Sequence, residues 1–145
     1  MALNRKEPKT FAFDHCFNSL DPNDPTHVNQ HQVFTCLGMD ILDNAFQGYN
    51  ACIFAYGQTG SGKSYTMMGS HEGDSGREAG IIPRLCNALF QRISQVNADV
   101  QAKVEVSYME IYNEKVHDLL DPMTSGKAVV LCLFKYFKNA NRIIF

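Results

Sequence analysis

The sequence predicts an α/β fold in which a glycine-rich phosphate loop stands between a strand and a helix. Short apolar runs with strand character alternate with amphipathic helical patterns along the chain. Residues 57–64 read Gly-Gln-Thr-Gly-Ser-Gly-Lys-Ser and match the pattern G-x-x-x-x-G-K-[ST] without a mismatch. The apolar run Ala-Cys-Ile-Phe-Ala at residues 51–55 directly precedes this motif and is typical of a buried strand. We therefore expect the loop at the carboxyl end of that strand.

The N-terminal part of the chain predicts a strand followed by a turn. Residues 10–17 alternate in polarity, with Phe11 and Phe13 on one face, which indicates a strand. His15 near its end is interpreted as structural rather than as a ligand or base. The Asp and Pro residues clustered at positions 21–25 predict a turn.

A long helix is predicted next, from about residue 29 to residue 47, with Gly48 as its stop. Its apolar side chains recur at helical spacing, and we expect them to be core rather than a cofactor site. They are Val33, Phe34, Leu37, Ile41, Ala45 and Phe46.

Beyond the phosphate loop, residues 69–80 predict a surface loop whose charges are solvated. A second long helix then opens at residues 81–83, with Pro83 in its first turn. Its predicted apolar face consists of Ile82, Cys86, Leu89 and Ile93.

The last part of the chain predicts a long strand at residues 103–112. Asn113 is placed to cap a short helix at residues 114–120, which Asp121 and the following proline would end. The apolar run at residues 128–134 is expected either to cover a strand edge or to favour aggregation.

Composition limits the class of protein. The chain has 145 residues and a formal net charge of −2, which favours one domain or part of one and disfavours nucleic acid as a ligand. No signal peptide and no membrane-length apolar run is recognised, so we expect a protein of the cytoplasm. The five cysteines show no C-x-x-C spacing and are expected to be buried free thiols: Cys16, Cys36, Cys52, Cys86 and Cys132.

The phosphate-loop motif predicts a nucleotide site. Glycines allow backbone angles that side chains forbid, and they let the loop amides approach a polyphosphate closely. Lys63 would reach the outer phosphates, and the Ser64 hydroxyl would take a place on Mg²⁺. The binding residues that the motif predicts are Gly57, Gln58, Thr59, Gly60, Ser61, Gly62, Lys63 and Ser64. No catalytic residue is assigned, because Glu110 and Glu114 are interpreted as structural carboxylates.

Residues 48–69 closely resemble the phosphate-loop segment of kinesin motor domains, because Tyr-Gly-Gln-Thr-Gly before the lysine and Thr-Met after it are unusual elsewhere. Residues 11–14 (Phe-Ala-Phe-Asp), 80–84 (Gly-Ile-Ile-Pro-Arg) and 107–122 (beginning Ser-Tyr-Met-Glu-Ile-Tyr-Asn-Glu) also resemble kinesin segments, in the same order. The residues of these segments are most similar to those of the third kinesin family, whose members transport vesicles and organelles. We therefore expect residues 1–122 to be a partial motor domain and residues 123–145 a divergent tail.

This resemblance implies a truncated kinesin motor head, a central and mostly β-sheet flanked by helices. It implies binding of ATP with Mg²⁺, binding to microtubules, microtubule-based movement and a place on the microtubule cytoskeleton. It also places Tyr65 where kinesins often hold a ring near the adenine, although a surface aromatic is an equal alternative for that position.

Three kinesin motifs are not found in the 145 residues. They are the Arg-x-Arg-Pro string that helps to hold the base, the Ser-Ser-Arg string of the first switch and the Asp-Leu-Ala-Gly string of the second. Two alternatives to a motor therefore stay open: a catalytically inactive nucleotide-binding fragment and a phosphotransferase with a phosphate loop. The sequence does not indicate the cargo.

Overall fold

The computed structural model describes residues 8–70, 76–95, 102–121, 130–138 and 141–144. A long helix is formed by α1 (Gln30–Val33), a π-helical turn (Phe34–Gly38) and α2 (Met39–Phe46). The short helix α3 spans Lys63–Met67, and α4 spans Ile81–Ser94. Within these described ranges, four strands form one sheet.

The predicted first long helix is confirmed, and its ends follow from local chemistry. Asn29 caps it through a capping box in which its side chain accepts from the Gln32 amide and the Gln32 side chain accepts from the Asn29 amide. A Cβ on Gly38 would lie 2.4 Å from the Phe34 ring, so glycine lets that ring fold over the π-helical turn. The helix ends before Gly48, which has a φ of 96°.

The core lies between this helix and α4. Its buried side chains are Phe34, Leu42, Leu85 and Leu89, and Ala45 and Ile81 are also buried. The predicted stripes were partly wrong: Val33, Leu37 and Ile41 of the first helix and Ile82, Cys86 and Ile93 of α4 are only half-buried. Some buried residues are sequence neighbours of predicted ones: Leu42 is buried in place of Ile41, and Leu85 in place of Cys86. Each helix therefore packs through a face slightly rotated from the one that the apolar spacing predicts.

The strands form an antiparallel sheet in the order β2-β1-β3-β4. They span β1 (Ala102–Tyr112), β2 (Lys115–Asp118), β3 (Val130–Lys138) and β4 (Asn141–Ile144). The long predicted strand is therefore confirmed as β1, and Val104 packs from it against the helical core. The described part of the apolar run at residues 128–134 lies in β3, where it pairs with β1.

The predicted helix at residues 114–120 is wrong, because the chain there makes a β-hairpin. Asn113 and Glu114 have φ angles of 50° and 62°, the left-handed pair that a two-residue hairpin turn requires. Tyr112 then faces Lys115 as the first pair of β1 and β2. Asn113 thus makes the turn of a hairpin instead of capping a helix.

The strands predicted at residues 10–17 and 51–55 are also absent, since both segments have irregular backbone. β1 pairs with β3 over residues 102–110 and with β2 over residues 109–112, and neither segment pairs with it. A strand is stabilised by its cross-strand pairs, and an apolar run without them stays open to solvent. Phe54 is 83 % exposed and Phe13 is 72 % exposed.

The cysteines correct another prediction. Cys16 and Cys52 are exposed, and Cys36 and Cys86 are half-buried, so the expected burial is wrong for these side chains. The Cys132 side chain lies outside the described residues. Of the helices in the described ranges, none has the length and apolar character needed to span a membrane.

Candidate functional site

The phosphate-loop residues curl immediately before α3. Gly57, Gly60 and Gly62 have φ angles of 155°, 81° and 86°, a region that side chains disfavour. Gly62 is the residue before the first helical position, so the helix expected after the loop is confirmed; of its two possible starts, Gly62 and Lys63, the structure has Lys63. These backbone angles explain why the motif has glycine at the three positions.

The Lys63 side chain lies against its own loop. Its Nζ donates to the carbonyl oxygens of Gly57 and Gln58, at 2.8 Å each. The Ser61 amide also donates to the Gln58 oxygen, at 3.2 Å. Among the described residues the Lys63 ammonium makes no ion pair with a carboxylate, so its charge is compensated only by carbonyl dipoles.

Tyr65, in the first turn of α3, is held at both its side chain and its backbone. The Tyr65 hydroxyl donates to Oε2 of Glu78, and the Gln30 side chain donates to the Tyr65 carbonyl oxygen at 2.7 Å. The hydrogen bond to Glu78 raises the pKa of Tyr65 above its ordinary value of 10.0, and desolvation by burial adds to the shift. The ring itself remains 46 % exposed.

Behind α3, the chain closes on itself at the two ends of the predicted surface loop. The Gly80 amide donates to the Met68 oxygen and the Ser70 amide donates to the Glu78 oxygen, both at 3.1 Å. Gly69 forms an antiparallel bridge with Ala79. We call residues 67–70 and 76–80 the stem; residues 71–75 between them lie outside the described residues.

Arg84 of α4 fixes the second half of the stem. Its guanidinium donates to the carbonyl oxygens of Ala79, Gly76 and Arg77, at 2.8, 3.1 and 2.6 Å. Because the Glu78 carboxylate accepts a hydrogen bond from the Tyr65 hydroxyl, the expectation that the charges of this loop are merely solvated is wrong for Glu78. No motif or spacing in the sequence reveals the Tyr65–Glu78 and Arg84 contacts, because these residues meet only when the stem closes.

A cavity of about 550 Å³ borders Tyr65 and Glu78. This volume lies within the range of small-molecule sites. Its remaining lining comes from Thr66 of α3, from the segment between Phe17 and Asn29, and from Gln30 and Val33 of the long helix.

Three other residues considered from the sequence lie elsewhere. Glu110 of β1 is 3 % exposed and its Oε2 has no hydrogen-bond partner among the described residues. Glu114 lies in the hairpin turn. The His15 ring stacks on Phe17 and lies 3.5 Å from the Cys36 sulfur. None of these contacts joins the phosphate loop.

A glycine-rich loop with this curl, closed by a lysine at the start of a helix, defines the class of phosphate-loop proteins. The sequence model of the kinesin motor domain family matches residues 2–137 of the chain. The chain belongs to the kinesin motor domain family. This confirms the predicted resemblance and the predicted truncated motor head. The proposed boundary at residue 122 stays a prediction.

The similarity extends to proteins of several animals. Over 127 residues the chain is 61 % identical to the mouse kinesin-like protein KIF13A, covering 86 % of this chain and 7 % of that protein. It is 59 % identical over 122 residues to the kinesin-like protein unc-104 of Caenorhabditis elegans, covering 83 % of this chain and 8 % of the relative. The chain thus spans less than a tenth of these relatives.

A solved structure of KIF14 with ADP, in complex with a microtubule, has the same fold. The TM-score is 0.71 at 39 % sequence identity, and the alignment covers 97 % of this chain and 40 % of that one. The agreement extends beyond the phosphate loop, because most of the chain is superimposed.

Proposed function

We propose that this chain is the ATP-binding part of a kinesin-like microtubule motor. The observation that carries the proposal is the Lys63 ammonium, 2.8 Å from the Gly57 and Gln58 carbonyl oxygens at the mouth of a phosphate loop. A lysine in this position supplies a point charge to the outer phosphates of a nucleotide. Membership of the kinesin motor domain family supports ATP as that nucleotide.

The loop suits a triphosphate in space as well as in charge. A Cβ built on Gly60 or on Gly62 would have no neighbouring atom within 4 Å, so the space beside both glycines is open. Both residues are exposed. Lys63 would exchange its contacts to neutral carbonyl oxygens for hydrogen bonds to phosphate, in which donor and acceptor are both ionised.

Mg²⁺ would be held through the Ser64 hydroxyl and the nucleotide together. Mg²⁺ is usually bound by one or two protein oxygens plus substrate phosphates, and Ser64 is exposed next to Lys63. Within the described part of the chain, no group of three His, Cys, Asp or Glu residues is placed to hold a metal ion alone. When bound, the ion neutralises phosphate charge.

Tyr65 is proposed as the contact for the adenine base. It follows Ser64 directly, its ring is partly exposed, and it lines the cavity of about 550 Å³. Stacking of a base on an aromatic ring contributes about 1–3 kcal/mol.

Microtubules are the proposed partner, and the microtubule cytoskeleton of the cytoplasm the proposed location. The support is membership of the kinesin motor domain family and the fold shared with KIF14, which was solved on a microtubule. The relatives are much longer than this chain, so movement along microtubules is proposed for a longer protein that includes such a domain.

Equilibrium dialysis of labelled ATP against the purified 145-residue chain tests the nucleotide proposal. Lys63→Ala should weaken binding about 30-fold, the loss of one charge-assisted contact. Lys115→Ala, on exposed β2, removes an equal charge and should leave the affinity unchanged. Chelation of Mg²⁺ should weaken the parent and have a smaller effect on Lys63→Ala. Equal affinity of parent and Lys63→Ala, with both folded, would show that the assignment is wrong.

A further inference from the structure

Glu78 is not part of the phosphate-loop motif, yet it makes the side-chain contact that fixes Tyr65. Its carboxylate accepts the Tyr65 hydroxyl hydrogen. The two residues are 13 positions apart and belong to different elements, α3 and the stem. The contact therefore joins the helix after the phosphate loop to the segment that precedes α4.

Glu78 is itself held in place on both sides. Its carbonyl oxygen accepts from the Ser70 amide at 3.1 Å. The residues next to it, Arg77 and Ala79, give their carbonyl oxygens to the Arg84 guanidinium. A Cβ on Gly69 would lie 2.0 Å from the Glu78 oxygen, so the two strands of the stem approach each other closely. Glu78 thus presents a carboxylate on a fixed backbone.

The Tyr65 ring depends on that carboxylate for its orientation. Its backbone is fixed by Gln30, but the ring is partly exposed and is free to change rotamer unless its hydroxyl is bound. An ordered ring stacks on a base at a lower entropic cost than a mobile one. Both Tyr65 and Glu78 line the cavity in which such a base would lie.

We propose that Glu78 is a positioning residue for base recognition, which holds the Tyr65 ring in the orientation that stacks on a nucleotide base. This rests on the proposed function, because it assigns a role to Glu78 only if residues 57–65 bind a nucleotide. The stem would thus contribute to recognition of the base through Tyr65, whereas the phosphate loop would bind the phosphates.

Inorganic tripolyphosphate separates the two parts of the site, because it offers the phosphates without a base. Dissociation constants for Mg²⁺-ATP and Mg²⁺-tripolyphosphate would be measured on the parent, Glu78→Gln, Tyr65→Phe and the double variant. Asp40→Asn, on exposed α2, is the control that removes an equal charge. Thermal unfolding of each variant shows that it is folded.

We expect Glu78→Gln to weaken ATP about three- to tenfold, the range for one charged hydrogen bond at a partly exposed site, and to leave tripolyphosphate unchanged. Tyr65→Phe should show the same loss, and adding Glu78→Gln to it should cause no further change. Asp40→Asn should match the parent.

Three results would overturn the inference while leaving the nucleotide site in place: no change in ATP affinity, an equal loss for both ligands, or a Glu78→Gln effect that persists in Tyr65→Phe. Failure of the parent to bind either ligand would instead overturn the proposed function, and the role of Glu78 with it.

Discussion

The two sides of the phosphate loop are held very differently. On the leading side, residues 51–57 have irregular backbone, and Tyr56 is 96 % exposed. On the trailing side, α3 is tied to the stem by the hydrogen bond from the Tyr65 hydroxyl to Glu78, and to the long helix by the hydrogen bond from Gln30. The loop therefore takes its shape from its own glycines and from the anchored helix α3 on its trailing side.

The difference shows what a strand pattern does and does not determine. The leading side has the composition of a buried strand, but a strand forms only where another strand pairs with it. The trailing side needs no such partner, because a short helix and a closed stem satisfy their own backbone groups. Local sequence can thus build the phosphate-binding curl even where the sheet beside it is not formed.

The largest expected effect contrasts the helical core with the leading side. Leu42 is 1 % exposed and Phe54 is 83 % exposed. Leu42→Ala should lower the free energy of unfolding by about 3 kcal/mol, the usual cost of a core cavity. Phe54→Ala should change it by less than about 0.5 kcal/mol. Urea unfolding followed by circular dichroism measures both, and comparable losses would mean that the leading side is packed.

A smaller effect is expected within the stem. Gly69 has a φ of 90°, and a Cβ there would meet the Glu78 oxygen at 2.0 Å. Gly69→Ala should therefore cost about 2–3 kcal/mol. Gly76 has a φ of 81° but nothing within 4 Å of its Cβ position, so Gly76→Ala should cost only about 1 kcal/mol of backbone strain. If the two variants unfold alike, the stem is not closed as described.

Much of the site can be predicted from the sequence, and part of it cannot. The motif at residues 57–64 predicts both the curl and a helix that starts at Gly62 or Lys63, because glycine angles and helix starts are local properties. The Tyr65–Glu78 contact depends on stem closure, a longer-range event with no repeat or spacing to reveal it.

The fold shows the same division. The long helix and β1 are predicted correctly, because periodicity over many residues is a strong signal. The hairpin at Asn113 and Glu114 is mistaken for a helix, since asparagine favours both a cap and a left-handed turn. The absent strands at residues 10–17 and 51–55 require knowledge of which strands pair, which composition does not contain.

Ionisation of the Tyr65 hydroxyl tests the contact between α3 and the stem on the trailing side. Glu78 raises the pKa of Tyr65, so the contact stabilises the folded chain below pH 10.0 and is lost as the pH rises through the higher folded pKa. Ultraviolet difference absorbance between the parent and Tyr65→Phe should place the Tyr65 midpoint above 10.0. Glu78→Gln should move it back down, and an unchanged midpoint in that variant would mean that Glu78 is not the cause.

The smallest expected effect is that of tubulin on ATP turnover by the 145-residue chain. Phosphoryl transfer needs an oriented water and groups that stabilise charge as the bond breaks. The kinesin strings Ser-Ser-Arg and Asp-Leu-Ala-Gly that would supply them do not occur in this sequence. Phosphate release should therefore stay at background with or without polymerised tubulin. Release that rises manyfold with tubulin and disappears in Lys63→Ala would contradict this.

The difference in stability between the leading and trailing sides of the loop is tested most directly by amide hydrogen exchange, measured with and without Mg²⁺-ATP. Without nucleotide, residues 51–56 should exchange at the rate of an unfolded chain, and α4 should be the slowest of the helices. Saturating Mg²⁺-ATP should slow exchange across residues 57–66 by about tenfold or more and leave residues 51–56 unchanged. Protection of residues 51–56 equal to that of α4 before nucleotide is added would contradict the account.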